Sequence, residues 1–562
     1  MEDFRHDLKR VYTNKTYLCL LSLTAACGYG FKIAHPAIGI DDTPYAYYFE
    51  EGLAAVVGRW VLFVLNKFMH ISDFAPFLTD FMAVLILMAA VTVWGVLFYS
   101  VFGEKIPKYG YWFFSCVFLS CPLIAEVFTY YLHNGIAIGY LSCGISLYLF
   151  REGLNSLEHK RSWRGVGRFA GAVTAMVIAM GCYESFMIVW LVGVLLILLS
   201  ERMTGVRRRI FRALLVAVVT AACGMVLRAV ILRLVTAVFG LSYLRDDAVQ
   251  RSVTELLGWM FEPGAWAEFA MILKRLFVMY GVFGYVYLPI RIFVAAALVI
   301  VVYSLWMSVR KKDFWIITLM LGSFAASFLL AVVEGKATLY RSAQFLPLTC
   351  AFGILVAARA VSSFAAWMRA GVGRQEIRGR IANGIVALYV FFTAVILWNQ
   401  CTDMNKWFYV DYQKYEYTKD YMLRVADELE RKFDTSKPIV FTGIWENPRS
   451  IVADAYVEYS SEDFYRMKRI TDLVDEHLLE KFYRDYGVWV AQTPSLSVVS
   501  WGKYAFDTDE ELIRFLRLHG HEFRPLLDTS LYEPAEQYAL ELPSFPMEGS
   551  IVDMGDYIIV HF

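Results

Sequence analysis

The sequence predicts a polytopic α-helical membrane protein of about 11 transmembrane helices, with a C-terminal extracytoplasmic α/β domain. Three observations predict it. Of the 562 residues 58% are hydrophobic and only 19% charged, whereas water-facing surfaces carry roughly 25–35% charged residues. Apolar stretches long enough to cross a bilayer, which takes about 20 residues, recur from Tyr17 to Trp398. Beyond Asn399 the composition turns charged and amphipathic. The 53 basic and 53 acidic side chains cancel, which leaves no basic surplus for a nucleic-acid partner.

The spans are read at 17–33, 75–101, 111–132, 134–150, 169–182, 185–200, 211–238, 286–307, 314–333, 344–365 and 381–398. Alternate loops differ in charge. Those on one side, among them Arg207-Arg208-Arg209 and Arg310-Lys311-Lys312, hold 23 Lys and Arg, against nine on the other. The positive-inside rule then puts the N-terminus in the cytoplasm and the C-terminal domain outside. The first span follows a charged segment but lacks a small-residue cleavage site, so it is expected to stay in the mature chain. Eight of nine cysteines lie in or at the ends of spans and Cys401 just past the last, so the tail beyond carries none. Its stability is expected to come from its own core and from docking on the membrane part.

The tail divides the chain into a membrane region, 1–400, and a domain, 401–562. Within the domain, Tyr415 to Phe433 reads as a helix, Pro438 to Thr442 as a buried strand, Ser461 to Tyr486 as helical and Ser495 to Trp501 as a strand. Asp507, Asp509, Glu510 and Glu511 mark a helix start, where acids meet the positive end of the dipole. Ile551 to Phe562 alternates around Met554-Gly555-Asp556 as a hairpin.

After the first span, Pro36, Gly39 and Pro44 hold the chain out of helix and place Asp41 and Asp42 on a turn at the outer surface. From Tyr45 the apolar residues Phe49, Leu53, Val56, Trp60 and Val64 share one helical face, the pattern of an interfacial helix. Adjacent carboxylates at a membrane boundary repel each other and are partly desolvated, which favours a proton on one of them and suits a general base for a sugar hydroxyl. The structural alternative is that Asp41 caps the helix and Asp42 is solvated.

Ionisable groups inside spans are expensive and functional by default. Asp80, Glu126, Arg228, Arg233 and Arg291 lie in the outer halves of their spans, and Glu184, Glu334 and Arg341 at outer ends. This asymmetry predicts a polar cavity opening outward, with Arg228, Arg291 and Arg341 suited to a phosphate through paired donors and acids suited to hydroxyls. Snorkelling or ion pairing is the competing role for Arg291 and Arg341, and an arginine partner the competing role for Glu126. His133 sits at an outer turn with nothing at metal-ligand spacing, so no metal is expected. The runs Tyr45 to Phe49, Tyr111 to Phe114 and Tyr285 to Tyr287 read as interfacial aromatic belts.

The string Ile40-Asp41-Asp42, then Gly58-Arg59-Trp60, then Asn66 resembles the opening of the Gtr-type glucosyltransferases that modify bacterial O-antigen, which belong to the polytopic GT-C class. Pro122, Glu126 and Tyr130 match that family's Pro, Glu and Tyr spacing, with His133 where an Asp is expected. Tyr183-Glu184 resembles a Tyr-Gln pair. The resemblance implies inverting transfer of a sugar, glucose by that analogy, from a polyprenyl-phosphate-linked donor to a cell-envelope polysaccharide acceptor at the outer face of a bacterial plasma membrane. It also makes Asp42 or Asp41 the general base. In this reading Arg59, Arg228, Arg291 and Arg341 are expected to hold the donor phosphate, and Glu126, Tyr130, His133, Tyr183 and Glu184 the sugar or acceptor. Such a displacement needs a base, an activated donor and a well-held leaving group, so no cofactor is expected; the remaining partners are membrane lipids. Two rival classes are a secondary transporter or lipid-linked glycan flippase, which paired repeats would favour, and a non-catalytic envelope scaffold.

Overall fold

The structure, a computed structural model, describes residues 2–38, 52–69, 75–128, 133–158, 162–241, 258–261, 263–267, 269–270, 273, 292–334, 342–370, 375–443, 506 and 508–562. A short amphipathic helix, α1 (Glu2–Tyr12), precedes α2 (Lys15–Ala34), which Asn14 caps by accepting a hydrogen bond from the Thr16 N–H. Two short helices follow, α3 (Leu53–Val56) and α4 (Trp60–Met69). Pro76 opens α5 (Pro76–Phe102) at the position where a missing N–H costs nothing.

Next comes a broken helix, α6 (Lys108–Leu119) and α7 (Pro122–Phe128), bent by 40°. Pro122 removes one donor at the break. The hydroxyl of Tyr29 donates to the Leu119 carbonyl at 2.7 Å, and Ser120 Oγ bonds the Gln400 side-chain oxygen at 2.9 Å. Broken backbone within a membrane protein is tolerated where protein groups re-satisfy it in this way.

The remaining helices of this region are α8 (His133–Glu158), α9 (Ser162–Cys182), α10 (Phe186–Thr204), α11 (Ile210–Phe239), α12 (Ile292–Lys311), α13 (Trp315–Ala326), α14 (Leu329–Glu334), α15 (Phe345–Ala370) and α16 (Gln375–Lys432). Within the described residues, every predicted span falls on one of these helices or on a bent or adjacent pair. Among those residues eight helices are long and apolar enough to cross a bilayer, or nine if α6 and α7 count as one span. The predicted eleven exceeds the number that length and composition support among the described residues. The 12 residues of α13 reach only about 18 Å, short of a hydrocarbon core of about 30 Å. α8 is long enough, but its apolar run is diluted by Ser142, Ser146, Arg151 and Glu152.

The core joins large rings to close backbone approaches. Trp94 Nε1 donates to the Tyr140 carbonyl at 3.0 Å and Trp190 Nε1 to Ser146 Oγ at 2.9 Å, tying α5 and α10 to α8. Outward, the helices present apolar side chains: Phe211, Leu215, Val218, Val226 and Val238 on α11 and Phe391, Phe392 and Trp398 on α16 are each more than half exposed. A continuous apolar surface of this kind is stable against lipid, not water. The predicted belt at Tyr111 to Phe114 is corrected: Tyr111, Phe113 and Phe114 are buried, because α6 is enclosed by α2, α5 and α15. The runs at Tyr45 and Tyr285 lie outside the described residues.

At one end of the bundle, remote from the C-terminal domain, Glu201 is 1% exposed and receives both Arg208 and Arg151, with Arg208 also paired to Glu158. Arg151 further bonds Ser100 Oγ at 2.9 Å and its carbonyl at 3.0 Å. Several of the arginines that mark the basic side thus interlock α5, α8 and α10 as well.

α16 leaves the bundle at the other end and does not stop where composition changes. Its 58 residues span about 87 Å, so the expected boundary at 400/401 falls inside one helix. Tyr421, Met422, Val425, Ala426 and Leu429 on its last turns pack on one face of a mixed sheet with strand order β2-β1-β4-β3. The strands are β1 (Pro438–Thr442), β2 (Arg524–Pro525), β3 (Ile551–Asp553) and β4 (Ile558–His561). β1 runs parallel to β2 and β4; β3 and β4 form the predicted hairpin. Alternation divides the strands: Ile439, Phe441, Ile558 and Val560 face α16 and α17 (Asp509–Leu518), while Val440 and Ile559 face α18 (Tyr532–Ala539). The predicted acidic helix start is α17, with Thr508 accepting from the Glu511 N–H at 3.2 Å. Asp507 and the predicted elements at Ser461–Tyr486 and Ser495–Trp501 lie outside the described residues.

Candidate functional site

The site is built where the turn between α3 and α4 and the turn between α9 and α10 meet the middle of α11. Gly58, with φ +86°, separates α3 from α4. A Cβ there would stand 2.7 Å from Glu184 Oε1 and 2.9 Å from Arg228 Nη2, so only glycine lets these groups close over the turn. The break also shifts the register of the predicted interfacial helix. Val61, Leu62, Phe63 and Asn66 are buried, while Trp60 and Val64 of the predicted face are half-buried, because the left-handed turn re-aims everything after it.

Arg59 follows, its guanidinium carbon 4.6 Å from the centroid of the Tyr183 ring, a cation–π arrangement. Its Nε is buried without a hydrogen-bond partner. Tyr183, Glu184 and Ser185 form the turn between α9 and α10, held by Tyr183 N–H to the Ala179 carbonyl at 3.1 Å and Ile188 N–H to the Ser185 carbonyl at 2.9 Å. Arg228 enters from α11. It forms an ion pair with Glu184, donates from Nε to the Met180 carbonyl at 3.2 Å, and from Nη2 to the Gly58 carbonyl at 3.3 Å.

Four of the sequence-predicted residues therefore meet: Arg59, Tyr183, Glu184 and Arg228. Their roles divide. Arg228 and Glu184 neutralise each other, whereas Arg59 has no carboxylate partner among the described residues. Arg59 is the group in this cluster suited to an incoming anion, with Tyr183 holding its plane and spare N–H groups free to donate. Glu126 is buried on α7, at 7% exposed. His133 is the first residue of α8. Asp41, Asp42, Tyr130, Arg291 and Arg341 lie outside the described residues. Of the other ionisable residues noted in the sequence, Asp80 is buried near the start of α5 and Arg233 is exposed on α11.

Other buried polar groups carry no assigned chemical role in the sequence reading, although Trp60 and Asn66 stand in the motif strings that carry the resemblance. Trp60 Nε1 and Ser185 Oγ are buried without partners beside Arg59 and Glu184, and Trp60 Nε1 would lie 2.5 Å from a Cβ on Gly181. Asn66 Oδ1 is buried and unpartnered on α4. Gln344, fully buried just ahead of α15, leaves both side-chain amide atoms without partners while its carbonyl accepts from the Tyr140 hydroxyl at 2.7 Å. Buried polar groups are normally satisfied, so such a set of open donors and acceptors marks surfaces that a polar ligand or water would complete. The available signal was position: each is a polar residue at the end of an apolar stretch or in the short motif after Gly58.

No curated protein and no solved structure compared with the chain matches it. The sequence profile of the glucosyl transferase GtrII family matches residues 30–358, which takes in α3 through α14, the first half of α15 and the whole Arg59 cluster. With more than half its length matched, this membrane protein belongs to the glucosyl transferase GtrII family.

Proposed function

We propose that the protein transfers glucose from a polyprenyl-phosphate carrier to a cell-envelope glycan at the outer face of a bacterial plasma membrane, with inversion at the anomeric carbon. The supporting observation is Arg59: a cation without a carboxylate partner among the described residues, stacked on Tyr183 at 4.6 Å, beside a neutralised Arg228–Glu184 pair and several open buried polar groups. In the reaction a hydroxyl oxygen of the acceptor forms a bond to the sugar C1 as the bond from C1 to the phosphate oxygen breaks. A carboxylate, Asp42 in preference to Asp41, takes the hydroxyl proton. The leaving polyprenyl phosphate keeps the electron pair of the broken bond, and Arg59 answers its growing charge, an interaction stronger in the transition state than in the ground state. Arg291 and Arg341 are further phosphate ligands in this reading, and Glu126, Tyr130 and His133 face sugar or acceptor. The Arg228–Glu184 pair holds the turn that carries Tyr183.

The test is a reconstituted assay with polyprenyl-phosphate-glucose and envelope glycans, comparing wild type with Asp42→Asn and Asp41→Asn. Loss of transfer in one variant supports the base assignment; full activity in both overturns it. A second reading, a lipid-linked glycan flippase, draws on the broken α6–α7 helix, since discontinuous helices line the substrate sites of transporters. It predicts movement of labelled lipid across sealed vesicles with no sugar transferred to acceptor.

A further inference from the structure

The described residues that lead toward the acidic pair are held by the C-terminal domain. At the end of α2 the His35 ring stacks on Phe31 at 4.2 Å between centroids and meets Tyr412 of α16 edge-on at 5.0 Å. Its Nδ1 lies 3.1 Å from the Phe31 carbonyl oxygen. Below this point α2 and α16 are already clamped, with Asn405 donating to the Cys27 carbonyl and Met404 packed on Gly28. Three residues past His35, Ile38 is 7% exposed and belongs to the apolar cluster of Met422, Val425, Ile439, Phe441 and Val560. That cluster is the core of the C-terminal domain, so a residue from the loop after the first span completes the interior of a domain that begins more than 360 residues later. Asp41 follows Ile38 by three residues in the sequence.

We propose that Ile38 is a positioning residue: seated in the core of the C-terminal domain, it fixes the start of the Asp41–Asp42 segment, so that the domain takes part in the transfer step by holding the base in place. This rests on the reading of the acidic pair as the source of the base. A side chain in a close-packed core has little freedom to shift, which makes it a firm anchor. Enzymatic rates are sensitive to such an anchor, since a misplacement of about 1 Å costs up to about 100-fold.

The experiment uses the full-length protein in vesicles with polyprenyl-phosphate-glucose as donor. Ile38→Ala is expected to lower kcat about 10- to 100-fold while the donor KM changes less than about twofold, since binding by Arg59 is untouched. The limb of the pH–rate profile set by the base shifts with it, and Ile38→Val recovers most of the rate. Ile513→Ala opens a comparable cavity in the same core, away from the loop in sequence, and keeps kcat near wild type. Wild-type kinetics in Ile38→Ala, with Asp42→Asn inactive, overturns the positioning role alone. Equal losses in Ile38→Ala and Ile513→Ala overturn it too, because they trace the effect to stability of the domain. Full activity in both aspartate variants removes the base reading and the positioning of that base together.

Discussion

Gly58 sets how closely a cation and an acid approach one turn. Gly58→Ala places a Cβ on Glu184 Oε1 and Arg228 Nη2 and forces an L-residue into left-handed backbone, which alone costs about 1–2 kcal/mol. The variant is expected to lower the melting temperature in detergent and the transfer rate; a wild-type melting temperature would show that the turn relaxes freely. Arg59→Ala is expected to raise the donor KM at least about tenfold, the loss of roughly 1.5–3 kcal/mol for a charged hydrogen bond. Arg59→Lys recovers only part, because an ammonium lacks the planar fork that stacks on Tyr183; full recovery in a donor-titration assay would mean that charge alone matters. The residue types at 59, 183, 184 and 228 were readable in the sequence. That Glu184 would answer Arg228 and leave Arg59 without a carboxylate was not, since it depends on two interhelix turns meeting the middle of α11.

The broken helix and the buried ion lattice make separate demands on the elements that carry them. Tyr29→Phe removes the hydroxyl that satisfies the Leu119 carbonyl at the α6–α7 break and is expected to cost about 1–3 kcal/mol, read as a lower melting temperature of the purified protein. Glu201→Ala removes the buried carboxylate that Arg208 and Arg151 share at the opposite end, leaving Arg208 with Glu158 and Arg151 with Ser100, and is expected to cost about 1–3 kcal/mol, the loss of hydrogen bonds between charged groups. Both losses should leave the donor KM unchanged in whatever protein remains folded. Element positions were legible because unbroken runs of Leu, Val, Ile and Phe near 20 residues long match the thickness of a bilayer and are rare elsewhere. Hydropathy carries no such information on helix ends: α16 runs through the composition change at Asn399, since polar residues continue a helix as readily as apolar ones when a partner helix and a sheet pack against it.

For the whole molecule, the charge bias predicts which side faces the cytoplasm. In a protein with exposed native cysteines replaced, Ser544→Cys should react with an impermeant maleimide in intact cells, and Lys312→Cys only after permeabilisation; the reverse pattern would invert the topology. The C-terminal sheet adds a pH dependence. Asp553 accepts from Lys437 Nζ at 2.8 and 2.7 Å and from the Gly555 N–H at 2.9 Å, which holds its carboxyl below the usual Asp value of 3.8. A carboxylate depressed in the folded state stabilises it above pH 3.8, and that contribution is lost as pH falls through the lower folded value. Unfolding midpoints of wild type and Lys437→Met should therefore differ near neutrality and converge in acid; a constant difference would show that the pair does not set the dependence.

Composition and periodicity were enough to establish a helical membrane protein, the positions of its apolar helices, and the strands at Pro438–Thr442 and Ile551–His561, because burial in lipid or in a sheet imposes local patterns on neighbouring residues. Pairings between distant segments were beyond their reach: Arg228 with Glu184, Tyr29 with the Leu119 carbonyl, Ile38 within the core of a domain more than 360 residues away. These contacts join groups far apart in the chain, and which of several chemically suitable partners meet is decided when the helices pack.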